Sequence, residues 1–382
     1  MKVLLVGEFS RLHNSLKEGL QELGHEVYIL GHQDGFKNYP VDFPIQKKWD
    51  SGFLKKIKVT VHTIFAFDIS SYCTYIQFNK NKSKFTGFDV VQLINENSFY
   101  CQYYYEKKIL DFLFQNNSKT YLLSSGYDYL NVKYCFENPV FKSTISAYLT
   151  GKINPKSFEN VLKFRTASFK KLHQFIYSNI QGIIASDIDY HIPLLQNSKY
   201  SGLIPNPVNT IKIDFQPLRI SDMIIIFHGI NEANYYKKGN DYFEKALSII
   251  EKKYGKTVQI ITTRNISYST YIDLYNSAHV VLDQTYANDQ GYNALEAMAK
   301  GKVVFTGAEK EFTAHYNVTE RVCINALPDI DYLVHELSFL IENPNEIIAI
   351  GKRARVFIEK EHDYILIANK YLEVWNSKTT PY

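Results

Sequence analysis

What most constrains this chain is a rhythm. Short apolar runs recur along it, each followed by a polar loop and then a stretch with helical spacing. Val3–Val6 is the first such run, and a continuous run of this kind suits a strand buried on both faces of a parallel sheet. Gly7 to Arg11 is a polar loop, after which Leu12, Leu16, Leu20 and Leu23 repeat at helical intervals. Gly24 is placed to end that helix, and His25–Leu30 reads as the next strand. Strand, helix and parallel strand make a right-handed crossover unit.

The rhythm continues. Asp89–Ile94, Thr120–Ser124 and Gly182–Ala185 read as buried strands, with helical stretches at Tyr103–Phe114 and Phe158–Tyr177 between them. Leu203 to Asn209 carries two prolines around Asn206, a stiff extended connection, and the domain boundary is expected there. A second series follows. Strands are predicted at Met223–Phe227, Thr257–Thr262, Val280–Asp283 and Val303–Thr306. Helices are predicted at Tyr242–Lys253, Ser269–Ser277, Asn293–Lys300, Pro344–Lys360 and Tyr364–Trp375. The 382 residues suit two domains of roughly 150–200 residues. The expected division is 1–205, 206–360, and a closing helix, 361–382, that packs back on the first domain. Two open α/β sheets joined this way face a cleft at the carboxyl ends of their strands, where ligands of such folds bind.

Composition narrows the partners. Hydrophobic residues make up 45% and charged residues 21% of the chain, enough to bury a core. A net charge of +4 is too small and too dispersed for a dedicated nucleic-acid surface, so no nucleic-acid partner is expected. The four cysteines show no metal-ligand or redox spacing, which points to free thiols in a reducing compartment. No apolar run reaches the length of a bilayer span, and the first residues lack the pattern of a secretory signal. The expected location is cytoplasmic, with the inner face of a membrane as a variant. That variant comes from residues 46–84, which are rich in lysine and aromatics. Such a stretch rests on an anionic membrane surface beside a lipid-linked glycan, or it is simply a solvated basic insertion.

The most informative segment is Asp283 to Lys302, DQTYANDQGYNALEAMAKGK. A strand ends, a polar loop runs through Asn288, Asp289 and Gln290, and Gly291 and Tyr292 open a helix that carries Glu296. A helix N-terminus exposes unpaired N–H groups and partial positive charge, which suits a diphosphate. A carboxylate such as Glu296 suits two adjacent ribose hydroxyls. Upstream, His228-Gly229-Ile230-Asn231 leaves a strand and is followed by Lys238-Gly239-Asn240-Asp241.

These two segments resemble the donor site of retaining GT-B glycosyltransferases of the family-4, glycogen-synthase-like kind. The resemblance covers both domains loosely, and its specific motifs lie between about residues 227 and 306. It implies a GT-B fold: two Rossmann-like, doubly wound domains facing a cleft. It implies a hexosyltransferase-type enzyme moving a sugar from a UDP- or GDP-sugar to a glycan, polysaccharide or lipid-linked acceptor, with retention, and with no cofactor and no metal. Glu296 matches the second acid of the family's pair, and Lys238 matches the lysine that neutralises the donor diphosphate. Gly229, Asn231, Asn288, Asp289, Gln290, Gly291 and Tyr292 are the remaining donor-site candidates. Ser10, His13, Asn95 and Asp128 are the candidates for acceptor or sugar contact, with Glu96 placed like Asn95.

The chain departs from the pattern at two points. Asn288 stands where the family has its first acid. Asp289 replaces that acid, or the amide itself makes the contact, or the chain is degenerate. No arginine matches the family's loop cation, with Asn231, His228 and Arg264 as candidate substitutes. Two D-x-D triplets occur, Asp187-Ile188-Asp189 and Asp329-Ile330-Asp331; the first, following the strand Gly182–Ala185, resembles the manganese-binding signature of the other large glycosyltransferase fold, or is a solvated strand-end turn. The rival readings are a non-catalytic sugar-nucleotide-binding subunit, and a GT-B epimerase or inverting transferase.

Overall fold

A computed structural model describes residues 1–33, 39–266 and 268–377. Twelve strands form two sheets, in each of which every pairing is parallel. The first contains β1 (Lys2–Val6), β2 (Glu26–Gly31), β3 (Phe43–Pro44), β4 (Val90–Leu93), β5 (Lys119–Ser124), β6 (Gly182–Ala185) and β7 (Tyr200–Leu203), in spatial order 3-2-1-4-5-6-7. The second contains β8 (Ile224–Ile230), β9 (Val258–Arg264), β10 (Val280–Leu282), β11 (Val303–Thr306) and β12 (Ile324–Asn325), in order 12-11-10-8-9. The apolar runs that announced strands are buried: Val3 to Val6 and Val303 to Phe305 have no exposed surface.

Gln92 interrupts the apolar β4 and is fully buried, a costly position for an amide without partners. Its Nε2 donates to the carbonyls of Leu93 (3.1 Å) and Tyr121 (3.3 Å), and its Oε1 accepts from Trp375 Nε1 at 3.2 Å. Trp375 belongs to the last helix, Tyr364–Asn376, which lies on the first sheet's side of the molecule against the helix Leu12–Glu22. The two helices approach so closely that a Cβ on Gly19 would stand 2.2 Å from the carbonyl oxygen of Tyr364. Only glycine permits that crossing.

Several boundaries differ from the sequence reading. Phe158–Tyr177 is not one helix. The chain breaks at Thr166, whose extended backbone and hydroxyl cap a new helix, Ala167–Asn179, with short turns before it. β8 runs on to Ile230, so the expected loop His228-Gly229 is strand. Residues 46–84 hold two helices, Gly52–Phe65 and Ile69–Asn81. Among the described residues no helix is long and apolar enough to cross a membrane.

Candidate functional site

In the second sheet the chain leaves β8 for β9 on one side and returns to β10 on the other. That reversal opens a crevice at the strands' carboxyl ends. A cavity of about 530 Å³ lies there. Gly229 and Asn231 line it from the end of β8, Thr263 from β9, Asp283 from beyond β10, and Ser10 from the first domain.

Two groups give this cavity a positive end. Lys238 is anchored by its backbone, whose carbonyl accepts from Thr285 N at 2.9 Å. Its ammonium donates to Asp283 Oδ1 at 2.8 Å. Asp283 is itself buried and takes weaker bonds from Asn293 Nδ2 (3.3 Å) and Thr306 Oγ1 (3.4 Å). The second group is the start of the helix Tyr292–Ala299, whose N-cap, Gly291, offers no side chain. The N–H groups of that first turn therefore have no partner within the helix. Gly291, Tyr292 and Asn293 all line the cavity.

Glu296 lies one turn beyond Tyr292 on the same helix face, half-buried, and is not among the residues that line the cavity. The rest of this helix is packing: Ala294, Leu295, Ala297, Met298 and Ala299 have no exposed surface. His228 and Arg264 do not line the cavity either. His228 is buried, with Nε2 against Asn240 Oδ1 at 2.8 Å, and burial pulls its pKa down. Arg264 is paired with Glu232 and Glu244. Neither supplies the second cation.

The loop between β10 and this helix turns its middle the other way. Asn288 donates from its backbone N (3.0 Å) and Nδ2 (2.7 Å) to the carboxylate of Asp189, and from Nδ2 to the carbonyl of Lys142 at 2.8 Å. Asp189 and Lys142 belong to the first domain. Asp289 accepts from Ile188 N at 3.2 Å and from Gln290 N at 2.8 Å. Gln290 Nε2 donates to Gly307 O at 2.7 Å. The loop seats this deeply because residue 307 is glycine. A Cβ there would stand 2.5 Å from Asp289 N and 2.6 Å from Ala287 O.

A smaller cavity of about 180 Å³ lies on that side, with Asp187, Asp189, Asp289 and Gln290 in its wall. Gln284 and Gly291 line both cavities. Burial and the neighbouring Asp189 push Asp289 up to about 7. Burial likewise raises Asp189 to about 6, opposed by the Asn288 hydrogen bonds and by Lys142. Asp187, buried beside both, is raised further. Asp187 also caps the helix Ile188–Leu194, and Asp329 caps Ile330–Glu342, so both triplets begin helices. Among the described residues no group of His, Cys, Asp and Glu is arranged to hold a metal.

The four first-domain candidates separate. Ser10 reaches the large cavity. Asn95 lines a third cavity, of about 280 Å³, at the ends of β4 and β5, together with Phe9, Asn97, Tyr100, Tyr127 and Lys163. Its Nδ2 is used on the carbonyls of Ser125 (2.8 Å) and Tyr127 (3.1 Å). His13 is fully buried with Nδ1 on Gly7 O at 2.7 Å, and burial lowers its pKa to about 4, so it is a neutral imidazole that shapes the first loop from within. Asp128 is the N-cap of the helix Tyr129–Glu137, bonded to Asn131 N at 2.7 Å and to the Ser124 hydroxyl, and it lines none of these three cavities. Glu96 is similarly occupied, by His173 Nδ1 at 2.6 Å and Tyr129 N at 3.0 Å.

Sequence reasoning passed over Asp283 as the anchor of Lys238 and Asp189 as the partner of Asn288. A signal for Asp189 was present: a D-x-D just beyond β6 lies at the carboxyl end of a strand, where ligand crevices of such sheets open.

Residues 231–373 match the family model described as glycosyl transferase-like. No curated protein sequence matches the chain. Solved structures do match in shape. Sucrose-phosphate synthase from Thermosynechococcus elongatus is 14% identical with a TM-score of 0.60, over 98% of each chain. Anabaena HepE, solved in complex with UDP and glucose, is 11% identical with a TM-score of 0.57, again over 98% of each chain. TarM is 14% identical with a TM-score of 0.52; the match covers 81% of this chain and spans 59% of TarM. At these identities the likeness concerns the fold. Two parallel doubly wound sheets, a crevice at the switch of the second, and the matched segment together make this a chain of GT-B fold that carries a glycosyl transferase-like region from Asn231 to Glu373.

Proposed function

We propose that the protein is a hexosyltransferase-type enzyme that moves a sugar from a nucleoside-diphosphate donor to a hydroxyl acceptor. One observation carries this reading: two cavities of different character share the wall formed by Gln284 and Gly291. The larger one holds an ammonium and a helix N-terminus, and its volume of about 530 Å³ suits a nucleotide. The smaller one combines carboxyl and amide groups with the tyrosines Tyr190 and Tyr286, and suits a sugar ring. A donor lying across the shared wall has its diphosphate at Lys238 and the first turn after Gly291, and its sugar toward Asp289 and Asp189. Glu296 holds the ribose from the next turn.

In such a transfer the glycosidic carbon gains oxocarbenium character while the nucleoside diphosphate gains charge. Stabilising that departing charge is the main contribution of Lys238 and the helix N–H groups. The acceptor hydroxyl enters from the first-domain crevice that contains Asn95, and holding it in line supplies the rest. The resemblance to the family-4 enzymes supports transfer with retention and without a metal. Asn288 acts by fixing the loop to Asp189, and Asp289 replaces the missing acid on the sugar side.

The test is thermal stabilisation by a panel of UDP- and GDP-sugars, followed by donor turnover. UDP-glucose comes first, because HepE, of similar fold, has been solved with it. Stabilisation and turnover unaffected by a chelator, with a retained anomer in the product, are expected. An inverted product or donor epimerisation would identify the corresponding rival. Stabilisation without turnover across acceptors would favour a binding subunit, a reading motivated by Asn288. No response to any nucleotide would remove the donor site.

A further inference from the structure

The helix Gly52–Phe65 stands apart from the core: none of its 14 residues is buried. At about 100° per residue, Phe53, Leu54, Ile57, Val61, Ile64 and Phe65 fall in one arc of roughly 120°. Their exposure is not incidental. Phe53 is 75% exposed, Ile64 65% and Phe65 71%. Single apolar residues on a surface are ordinary, but four exposed ones flanking the half-buried Ile57 and Val61 on one arc are not. The rest of the circumference carries Lys55, Lys56, Lys58 and His62 together with the exposed Val59, and the helix contains no acid. Lys47 and Lys48 precede it, and Lys80, Lys82 and Lys84 follow. It packs on the helix Ile69–Asn81, and its polar anchors are few: Lys58 pairs with Asp50, and Gln102 Nε2 touches His62 Nδ1 at 3.3 Å and the Ala66 carbonyl at 3.5 Å.

We propose that this helix docks the protein on an anionic lipid surface. Apolar side chains on one arc and cations on the other are what a helix lying in the headgroup plane requires, and its length of about 21 Å is too short to span a bilayer. Charge complementarity selects the partner: a neutral apolar partner would leave the surrounding lysines without a counterpart, while acidic headgroups meet them.

The placement adds a substrate class. Lys47 lies over the Tyr100 ring at 5.1 Å, and Tyr100 lines the first-domain cavity with Phe9 and Asn95. The docked helix therefore sets that crevice close to the lipid surface, where a lipid-linked acceptor presents its sugar or phosphate headgroup. This second step rests on the glycosyltransferase reading; the docking itself does not.

Vesicle flotation of the full chain tests it, using phosphatidylcholine alone and phosphatidylcholine mixed with phosphatidylglycerol. The wild type should float with the mixed vesicles, weakly with the neutral ones, and less as salt rises. The triple variant F53S/I64S/F65S should lose at least about tenfold in partition, since each buried CH₂ contributes about fourfold. K55E/K56E should lose most of the anionic preference, about fivefold or more per lysine. These side chains are exposed, so both variants should keep the wild-type Tm. Absence of flotation, or variants that float like the wild type, overturns the proposal. So does concentration-dependent self-association that the triple variant abolishes without any lipid binding. Nucleotide-induced thermal shift separates the two readings. Flotation without a nucleotide response leaves the docking and removes the transferase; the converse leaves the donor site and removes the docking.

Discussion

The two cavities that meet at Gly291 are built by the same loop and have opposite character. On one side the loop delivers Asp283, which holds Lys238 from the stretch after β8, and an uncapped helix start. On the other it buries Asn288 and Asp289 against Asp189 and the first turn of Ile188–Leu194. The positive side is part of the second domain and needs the first only for Ser10. The acidic side exists only where the domains touch, and Lys142 reinforces that contact through Glu309 at 2.5 Å. Under the proposed function this is a division of labour: the nucleotide would be bound by one domain, while the sugar environment would belong to the pair.

Lys238→Ala should break this picture most visibly. Loss of one charged donor to a departing anion should cost about 10²–10³ in kcat. The substitution also strands the buried Asp283, so K238A/D283N is the informative companion. If the double variant regains activity, Lys238 acts only by neutralising Asp283, and its role toward the diphosphate is wrong. Donor turnover under steady state decides between them.

Glu296→Gln should come next, as about a 10-fold rise in donor KM, the size expected for charge-assisted hydrogen bonds to a diol. kcat should change less. Glu296 lies one turn beyond the cavity lining, so an unchanged KM would confine the donor to the nearer residues and leave Glu296 a purely structural helix residue.

Gly291→Ala sharpens the comparison at the shared wall. Gly291 has an ordinary backbone (φ −78°), and a Cβ there would meet only Gln284 Nε2 at 3.7 Å. The free protein therefore has room for alanine, and its Tm should stay put. If the donor crosses this wall against bare backbone, donor affinity should fall several-fold while the fold is untouched. Calorimetric titration with the nucleotide sugar reads this directly. Gly307→Ala is the contrast, since it would collide with Asp289 and Ala287 and should lower the Tm.

The positive side could be read from sequence because its information is local. Lys238-Gly239 after one strand and Gly291 with its helix start after another are each local patterns, and the doubly wound rule places both at one crevice. The acidic side could not, because Asp189 and Asn288 are separated by 99 residues and meet only through the relative placement of two domains. Asp128 and His13 show the other limit. A polar residue at a strand end can serve the cleft or cap the next helix, and its type alone does not say which. Residues 46–84 were legible as basic and aromatic, but the amphipathic stripe appears only once Gly52 and Phe65 are known to bound a helix.

The smallest effect concerns the acidic side and pH. Burial, which disfavours its charge, raises the Asp289 carboxyl to about 7 from an ordinary value of 3.8. A raised acid holds its proton more tightly when folded, so stability falls as pH rises through that interval and changes no further above it. Asp128 and Glu106, also raised to about 7 by burial, act in the same direction. His13 and His362, lowered to about 4 by burial, act oppositely, but only below the ordinary imidazole value of 6.5. Between about pH 6.5 and 7 the acids therefore dominate, and stability, and with it the Tm, should rise as pH falls, the stability by at most about 1.4 kcal/mol per pH unit for each group. Asp289→Asn removes one such group, so its Tm profile should be shallower than the wild type by about 2–4 °C per pH unit, provided the two domains stay docked. A nucleotide sugar that places a hydroxyl against Asp289 should change the wild-type slope and leave that of D289N unaltered. Equal slopes with and without donor would detach Asp289 from the sugar and leave it as an interdomain fastening alone.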